Sequence, residues 1–565
     1  MNTRGMSRIL AGVVVFAVTQ LPGFAQTNAN KSNPCPRFAA GSTVHNPPSL
    51  YSQNGLLTVN LSYNTTTDKD GRTLYCFTAA DGSESPTLYM HPGVKVVVNV
   101  KNNVPGGVSA SAMQMTTNAS DVCGAAITDA SSVNMHFHGT NISPTCHSDE
   151  VLHTIINSGE SFQYILQFPT DEPPGLYYYH PHIHGLAEAA VLGGACGAII
   201  VEGIETLQPA VAGLRERVLV IRDQNVAGNP TPGGNIPSWD LTLNYIPISY
   251  PALTPAVINM QAAEKQLWRV ANTAADSLVD LQVVYDGVPQ TLQIVALDGV
   301  PTGSQDGSRQ GSIVEATHVF LPTAGRAEFI VKGPSSKVSK AIFRTLAVNT
   351  GPAGDNDTER TLAVIKTAQD PNDTDIIPAA SAKPGPQRFE GLASETVTAQ
   401  RKLYFSEVIS DPSNPLSPTN FYITVDGHTP RLFSPDNPPA ITTTQGSVED
   451  WTIENRTTEN HEFHIHQIHF LLLKKNGVPV SAAEQQFFDT IQVPYWSGKG
   501  PYPSVTVRLD FRGADVGDFG DFVYHCHILG HEDNGMMASI RVLPISGKSV
   551  VVPTGASAGS SAPLP

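Results

Sequence analysis

Long apolar runs and positive charge are both scarce in this chain. The apolar stretch near the start, ILAGVVVFAV, is too short to span a bilayer, and no later segment approaches the ~20 residues that a membrane helix needs. Lys and Arg number 34 against 50 Asp and Glu, a formal net charge of -16 at pH 7, which argues against nucleic acid and anionic membranes as partners. Helical periodicity is almost absent, which leaves an all-β chain. A twin-arginine pair is missing too. Residues 1–25, with Arg4, Arg8, the apolar core and Gly23-Phe24-Ala25, therefore read as a general export signal, and the chain as secreted or periplasmic. Cysteines number six. Cys526 lies among histidines; Cys35, Cys76, Cys123, Cys146 and Cys196 are enough for two disulfides and one free thiol, with the pairing open.

What the chain has instead is 47 Gly, 44 Pro and many short β-branched runs, the composition of β-sandwiches. Three segments resemble one another. VKVVVNVKNN (94–103) is followed after an insertion by VNMHFHG (133–139), KQLWRVANT (265–273) by LVDLQV (278–283), and VEDWTIENRT (448–457) by HEFHIHQI (461–468). Each is an alternating strand ending in Asn, a turn and a second strand. Each is echoed later, by SGESFQYILQF, TAGRAEFIVKG and SVTVRLDF. Three sandwich domains are expected, at 26–203, 204–366 and 389–546, with a proline-bearing linker at 367–388 and a disordered tail at 547–565.

Chemistry is concentrated in Tyr524–Met537, YHCHILGHEDNGMM. Cys526 is flanked by His525 and His527, with His531 and Met536 shortly after. Two imidazoles and a thiolate in a plane with a weak axial thioether are the ligands of a blue copper site. Strand alternation turns both flanking histidines away from the face that Cys526 occupies, so a few covalent bonds would join two metal sites. A zinc site needs four ligands in tetrahedral spacing, and the remaining histidines point elsewhere. His136 and His138, His180 and His182, and His464 and His466 join His525 and His527 as four His-x-His pairs. Eight imidazoles converging between the first and last domains would hold three more ions. At the aligned positions the middle domain has Asp280 and Gln282, so it is expected to bind no copper and to act as a spacer.

These motifs resemble those of three-domain multicopper oxidases, the laccases and their bacterial relatives, over roughly 56–543, most strongly in HFHG, YHPH, HEFHIH and HCHILGHEDNGMM. The resemblance implies three cupredoxin-like Greek-key β-sandwiches and four copper ions. It assigns His461, Cys526 and His531 to a type 1 copper with Met536 axial, and His136 and His464 to a type 2 copper. His138, His180, His182, His466, His525 and His527 fall to a type 3 pair, with His184 and His469 structural. It also implies proton carriers at Glu532 and Asp149. Phe137 stands where the family usually has Trp, and Glu462 where it has Pro; neither is expected to touch a ligand.

The implied activity is one-electron oxidation of phenols or arylamines coupled to four-electron reduction of O2 to water, by a monomer. A cuprous, ferrous or manganous ion oxidase is the rival. Cuprous specificity favours a methionine-rich segment, and this chain has nine methionines, clustered, apart from Met536 and its neighbour Met537, only at Met113 and Met115. Ferrous or manganous specificity favours carboxylates, for which Glu459, Glu462 and Asp533 are the candidates. A partner-binding scaffold or a copper store would not need the Cys–His bridge.

Overall fold

The computed structural model describes residues 33–106, 123–125, 127–303, 311–369, 376–378, 388–411, 413–414, 417–513 and 520–544. The expected export signal, the tail, most of the linker, Met113 and Met115 lie outside these residues. Apart from a small two-stranded sheet of Cys123–Gly124 and Thr154–Ile155, the described strands fall into three pairs of sheets. In the first unit a five-stranded sheet containing Gly175–His180 and His136–His138 covers a four-stranded sheet containing Leu56–Thr67, Lys95–Asn102 and Ser161–Gln167. The middle unit pairs an eight-stranded with a six-stranded sheet. The third pairs a seven-stranded sheet with a five-stranded one that carries His461–Ile465, Gly520–Cys526 and Met537–Leu543. Each pair encloses its own hydrophobic core, and the chain is all-β with cupredoxin-like sandwiches.

The internal repeat has a physical reason. Lys95–Asn102, Lys265–Asn272 and Val448–Asn455 each pair in parallel with the first long strand of their unit, Leu56–Thr67, Arg215–Asn225 and Ala399–Ile409. Each also pairs antiparallel with its later echo, Ser161–Gln167, Arg326–Lys332 or Ser504–Asp510. The terminal Asn does the same work three times. Its Nδ2 donates to carbonyls on both sides of the crossing loop and ties them together: Ser131 and Ile156 for Asn102, Ser277 and Pro322 for Asn272, Glu459 and Val493 for Asn455.

Disulfides join Cys35 to Cys76 and Cys123 to Cys146, and Cys196 is a buried thiol. Among the described residues no helix is long and apolar enough to cross a membrane.

Candidate metal centre

Alternation along the strands decides which side chains meet. Tyr524 and Cys526 point into the core of the third unit beside Phe463 and Ile465 of the neighbouring strand. His525, and His464 opposite it, therefore point to the other face. In the first unit Phe137 and Tyr179 are core residues, so His136, His138 and His180 face outward. Those outward faces of the two five-stranded sheets meet, and all eight imidazoles are buried.

On the core side, Cys526 Sγ lies 3.8 Å from His461 Nδ1 and 3.7 Å from His531 Nδ1, with the two nitrogens 3.0 Å apart. Thr457 Oγ1, 2.8 Å from His461 Nε2, fixes that ring, and Phe421 stacks on His531 with centroids 4.2 Å apart. Met536 is buried in the same core; its carbonyl accepts the Cys526 N–H and its N–H donates to the His531 carbonyl, both at 3.0 Å. Burial pushes the Cys526 thiol above its usual range, and a bound metal ion is what would deprotonate it. The Glu462 N–H donates to Cys526 Sγ at 3.3 Å. Glu462, expected not to touch a ligand, therefore does so through its backbone, with a proton that proline would lack.

On the outward side, the Nε2 atoms of His182, His466 and His525 form a triangle with sides of 3.1, 3.2 and 3.3 Å. Its centre lies about 1.9 Å from each nitrogen, close to the ~2.0 Å of a metal–imidazole bond. His138, His180 and His527 form a second group, and His136, His138 and His464 a third. His136 Nε2, His138 Nδ1, His180 Nε2, His464 Nε2 and His527 Nδ1 are buried with no hydrogen-bond partner. A buried unpaired polar atom costs ~1–3 kcal/mol. Five of them would forfeit an amount comparable with the ~5–15 kcal/mol stability of a whole domain. Burial holds His136 and His182 down to about 3, so these imidazoles are neutral and present lone pairs at neutral pH. The donor set suits metal ions.

The two carboxylates expected as proton carriers have different surroundings. His525 Nδ1 lies 2.9 Å from the Cys526 carbonyl and 3.1 Å from Glu532 Oε2, while His182 Nδ1 is 3.6 Å from Glu532 Oε1. The carbonyl takes the proton, and both Glu532 oxygens stay buried without a well-formed hydrogen bond. Burial works against its charge, but the imidazoles of His182 and His525 outweigh burial and hold the carboxyl below its usual range. Asp149 is fully engaged. It accepts from the Phe137 N–H at 3.0 Å and from Gln467 Nε2 at 2.7 Å, and faces His136 Nδ1 at 3.0 Å.

Two multicopper oxidase family models match this chain, over residues 127–206 and 411–546, the segments that carry both clusters. Among curated proteins, multicopper oxidase LPR1 homolog 1 of Oryza sativa subsp. japonica is 23% identical over 432 residues, 66% of this chain and 68% of that one. A solved multicopper oxidase of Campylobacter jejuni, described as a metallo-oxidase, superposes with a TM-score of 0.64 at 20% identity, over 90% of this chain and 96% of that one. McoA multicopper oxidase of Aquifex aeolicus gives 0.63 at 17%, over 89% and 100%. Two segments of this chain thus carry multicopper oxidase domains, and the relatives it resembles are multicopper oxidases. At these identities the structural likeness itself shows the fold.

Several residues around this site lie outside the histidine and cysteine motifs. Asp489 faces His138, and Glu459 Oε2 lies 3.6 Å from His531 Nε2. His184 packs on Phe433, and His469 Nε2 lies 2.8 Å from the Asp298 carbonyl. The middle unit, expected as a spacer, reaches the site as well: Thr323 Oγ1 bridges the Glu462 carboxyl and the His527 carbonyl by hydrogen bonds, and Arg326 pairs with Asp489. Asp280 and Gln282 lie apart from it, bonded to His318 and Arg344. Replacing either by Ala should leave the copper content per chain unchanged by elemental analysis; loss of a whole copper would show that the repeat alignment misassigns the middle unit.

Proposed function

We propose that this oxidase takes electrons one at a time from small phenols or arylamines beside His531 and passes them to O2 at the imidazole cluster. His461, Cys526, His531 and Met536 would hold a type 1 copper; His136 and His464 a type 2; and His138, His180, His182, His466, His525 and His527 the type 3 pair. Copper held there would supply the one-electron redox steps needed for O2 to take four electrons and four protons and leave as two waters. The observation that carries this reading is the separation of a thiolate–imidazole cluster from a partnerless imidazole cluster by the bonds between Cys526 and its neighbours His525 and His527. Those bonds are the electron path. Thr457 and Phe421 orient His461 and His531, and Asp149 orients His136. Glu532, an ionised carboxylate beside His182 and His525, takes up protons and passes them on at its free oxygens. The domain limits 26–203, 204–366 and 389–546 and an extracytoplasmic location belong to the same proposal.

A metal-ion substrate is favoured by one feature. Glu459 sits against the solvent-facing edge of His531, and burial with the neighbouring Glu407 carboxyl pushes its pKa up to about 10, a tension that a cation would relieve. Oxygen uptake across phenols, arylamines, Cu(I), Fe(II) and Mn(II), repeated with Glu459→Gln, separates the two. The phenol reading expects the best phenol or arylamine to exceed every metal ion in kcat/KM. A metal ion that wins, and loses its advantage in Glu459→Gln, would replace it.

The Glu462 N–H draws electron density from the thiolate sulfur, which raises the potential of a copper held there. Glu462→Pro should lower that potential by roughly 40 mV, the one-electron equivalent of a ~1 kcal/mol hydrogen bond. A redox titration of the blue band measures it; an unchanged potential would remove this bond from the tuning.

A further inference from the structure

The carboxylate of Asp489 is a point where all three units touch. Asp489 immediately precedes the strand Thr490–Val493 of the third unit and is fully buried. Its Oδ1 lies 3.1 Å from Nε2 of His138, in the first unit. Arg326, the first residue of the middle-unit strand Arg326–Lys332, grips the same carboxylate with both terminal nitrogens, Nη1 donating to Oδ1 at 2.8 Å and Nη2 to Oδ2. The rest of Arg326 is anchored. Nη1 also donates to the Ala324 carbonyl at 2.8 Å, Nε to the Leu176 carbonyl at 3.3 Å, and its backbone N–H to Asp298 Oδ1 at 2.9 Å. Asp298 Oδ2 in turn accepts the Asp489 N–H at 3.2 Å.

A second imidazole is held from the same residue. The Asp489 backbone carbonyl lies 2.8 Å from His464 Nδ1, and Thr490 Oγ1, which donates to Asp489 Oδ1 at 2.9 Å, lies 3.1 Å from that nitrogen. Gly139, directly after His138, has φ +81°, and a Cβ there would come within 2.5 Å of Asp489 Oδ2 and 2.6 Å of Arg326 Nη2. Only glycine lets the ion pair pack this tightly under the histidine-bearing turn.

We infer that Arg326 and Asp489 are positioning residues that set which nitrogen of His138 and of His464 faces the imidazole cluster. The logic is that of the two ring nitrogens: the one that meets an oxygen carries the proton, and the other keeps its lone pair. His138 Nε2 meets the Asp489 carboxylate, and its Nδ1 is the atom left buried without a partner. His464 Nδ1 meets the Asp489 carbonyl, and its Nε2 is the partnerless atom. In each ring the free nitrogen belongs to the cluster. The bidentate fork of Arg326 fixes the carboxylate plane, which a point charge would not do. A unit that contributes no imidazole to the cluster thereby controls how two of them present themselves.

This rests on the copper reading of the imidazole cluster, and the test separates the two. In Arg326→Lys the charge stays and the fork is lost. Compared with wild-type holoenzyme, kcat should fall ~10–100-fold, the usual cost of losing an outer partner of a metal ligand. KM for the reductant should hold, because the reductant docks at His531. The blue band of the Cys526 site should be unchanged, while the electron-spin-resonance signature of the cluster copper shifts and a chelator strips it more readily. A merely structural pair would lower the melting temperature and leave kcat and the cluster signature alone; that result overturns the inference. Should Arg326→Lys not fold, Thr490→Val removes a hydroxyl of nearly the same size that touches Asp489 Oδ1 and His464 Nδ1. It should shift the same signature, and an unshifted signature counts against the inference equally. Wild-type protein that takes up copper only at the Cys526 site would sink the cluster reading and this inference with it. A wild type with its full copper complement beside an indistinguishable Arg326→Lys would sink this inference alone.

Discussion

Replacing Cys526 by Ser should remove the blue colour and the oxygen consumption together while the chain stays folded. The thiolate is the one soft, anionic donor in its cluster, and a serine hydroxyl is not ionised at neutral pH. Colour and electron uptake both depend on that sulfur. The fold should survive because the Glu462 N–H that donates to Sγ can donate to a hydroxyl in the same place. The stability cost should be ~1–2 kcal/mol, ordinary for a buried near-isosteric change. Absorption spectra and an oxygen electrode read the first two effects, and thermal unfolding the third. A folded Ser variant that kept an intense blue band would remove Cys526 from the site.

The repeat and the histidine pairs are legible in the sequence for a local reason. Strand alternation and the terminal Asn are properties of neighbouring residues, so Asn102, Asn272 and Asn455 mark the same turn in all three units. The common facing of His136, His138, His180, His464 and His525 also follows from alternation, once Phe137, Tyr179, Phe463 and Cys526 are taken as core residues; His182, His466 and His527 lie just past the ends of the same strands. What the sequence hides is whatever depends on packing between units. Arg326 and Asp489 lie 163 positions apart, on strands that only tertiary structure brings together. Their one local sign is charge set among apolar residues, Arg326 with Glu328 in GRAEFIV and Asp489 in FFDTIQV. The Glu462 contact is hidden for another reason. Reading it as a replaced side chain overlooks that its backbone proton is what reaches the sulfur. Spacing alone does not fix the pairing Cys35–Cys76 and Cys123–Cys146, which depends on loops meeting in the folded first unit.

Glu532→Gln should separate electron delivery from proton delivery. The substitution keeps shape and removes the ionisable proton from a side chain whose two oxygens sit beside His182 and His525 without well-formed hydrogen bonds. Reduction of the blue copper by substrate should run near the wild-type rate, because the Cys526 cluster is untouched. Reoxidation by O2 should slow by ~10²–10⁴-fold, the usual cost of losing a positioned acid or base. Copper content should stay unchanged. Stopped-flow absorption measures both half-reactions in one instrument. Equal slowing of both would mean that Glu532 acts on the cluster's structure, and unchanged reoxidation would leave it without a part in proton delivery.

The central claim is that electrons taken up at Cys526 leave in water made at the imidazole cluster. The ratio of reductant oxidised to O2 consumed, followed in one vessel with a peroxide assay, tests it most directly. The account predicts four electrons per O2 and no hydrogen peroxide. Two electrons per O2, with peroxide appearing in equal amount, would contradict it.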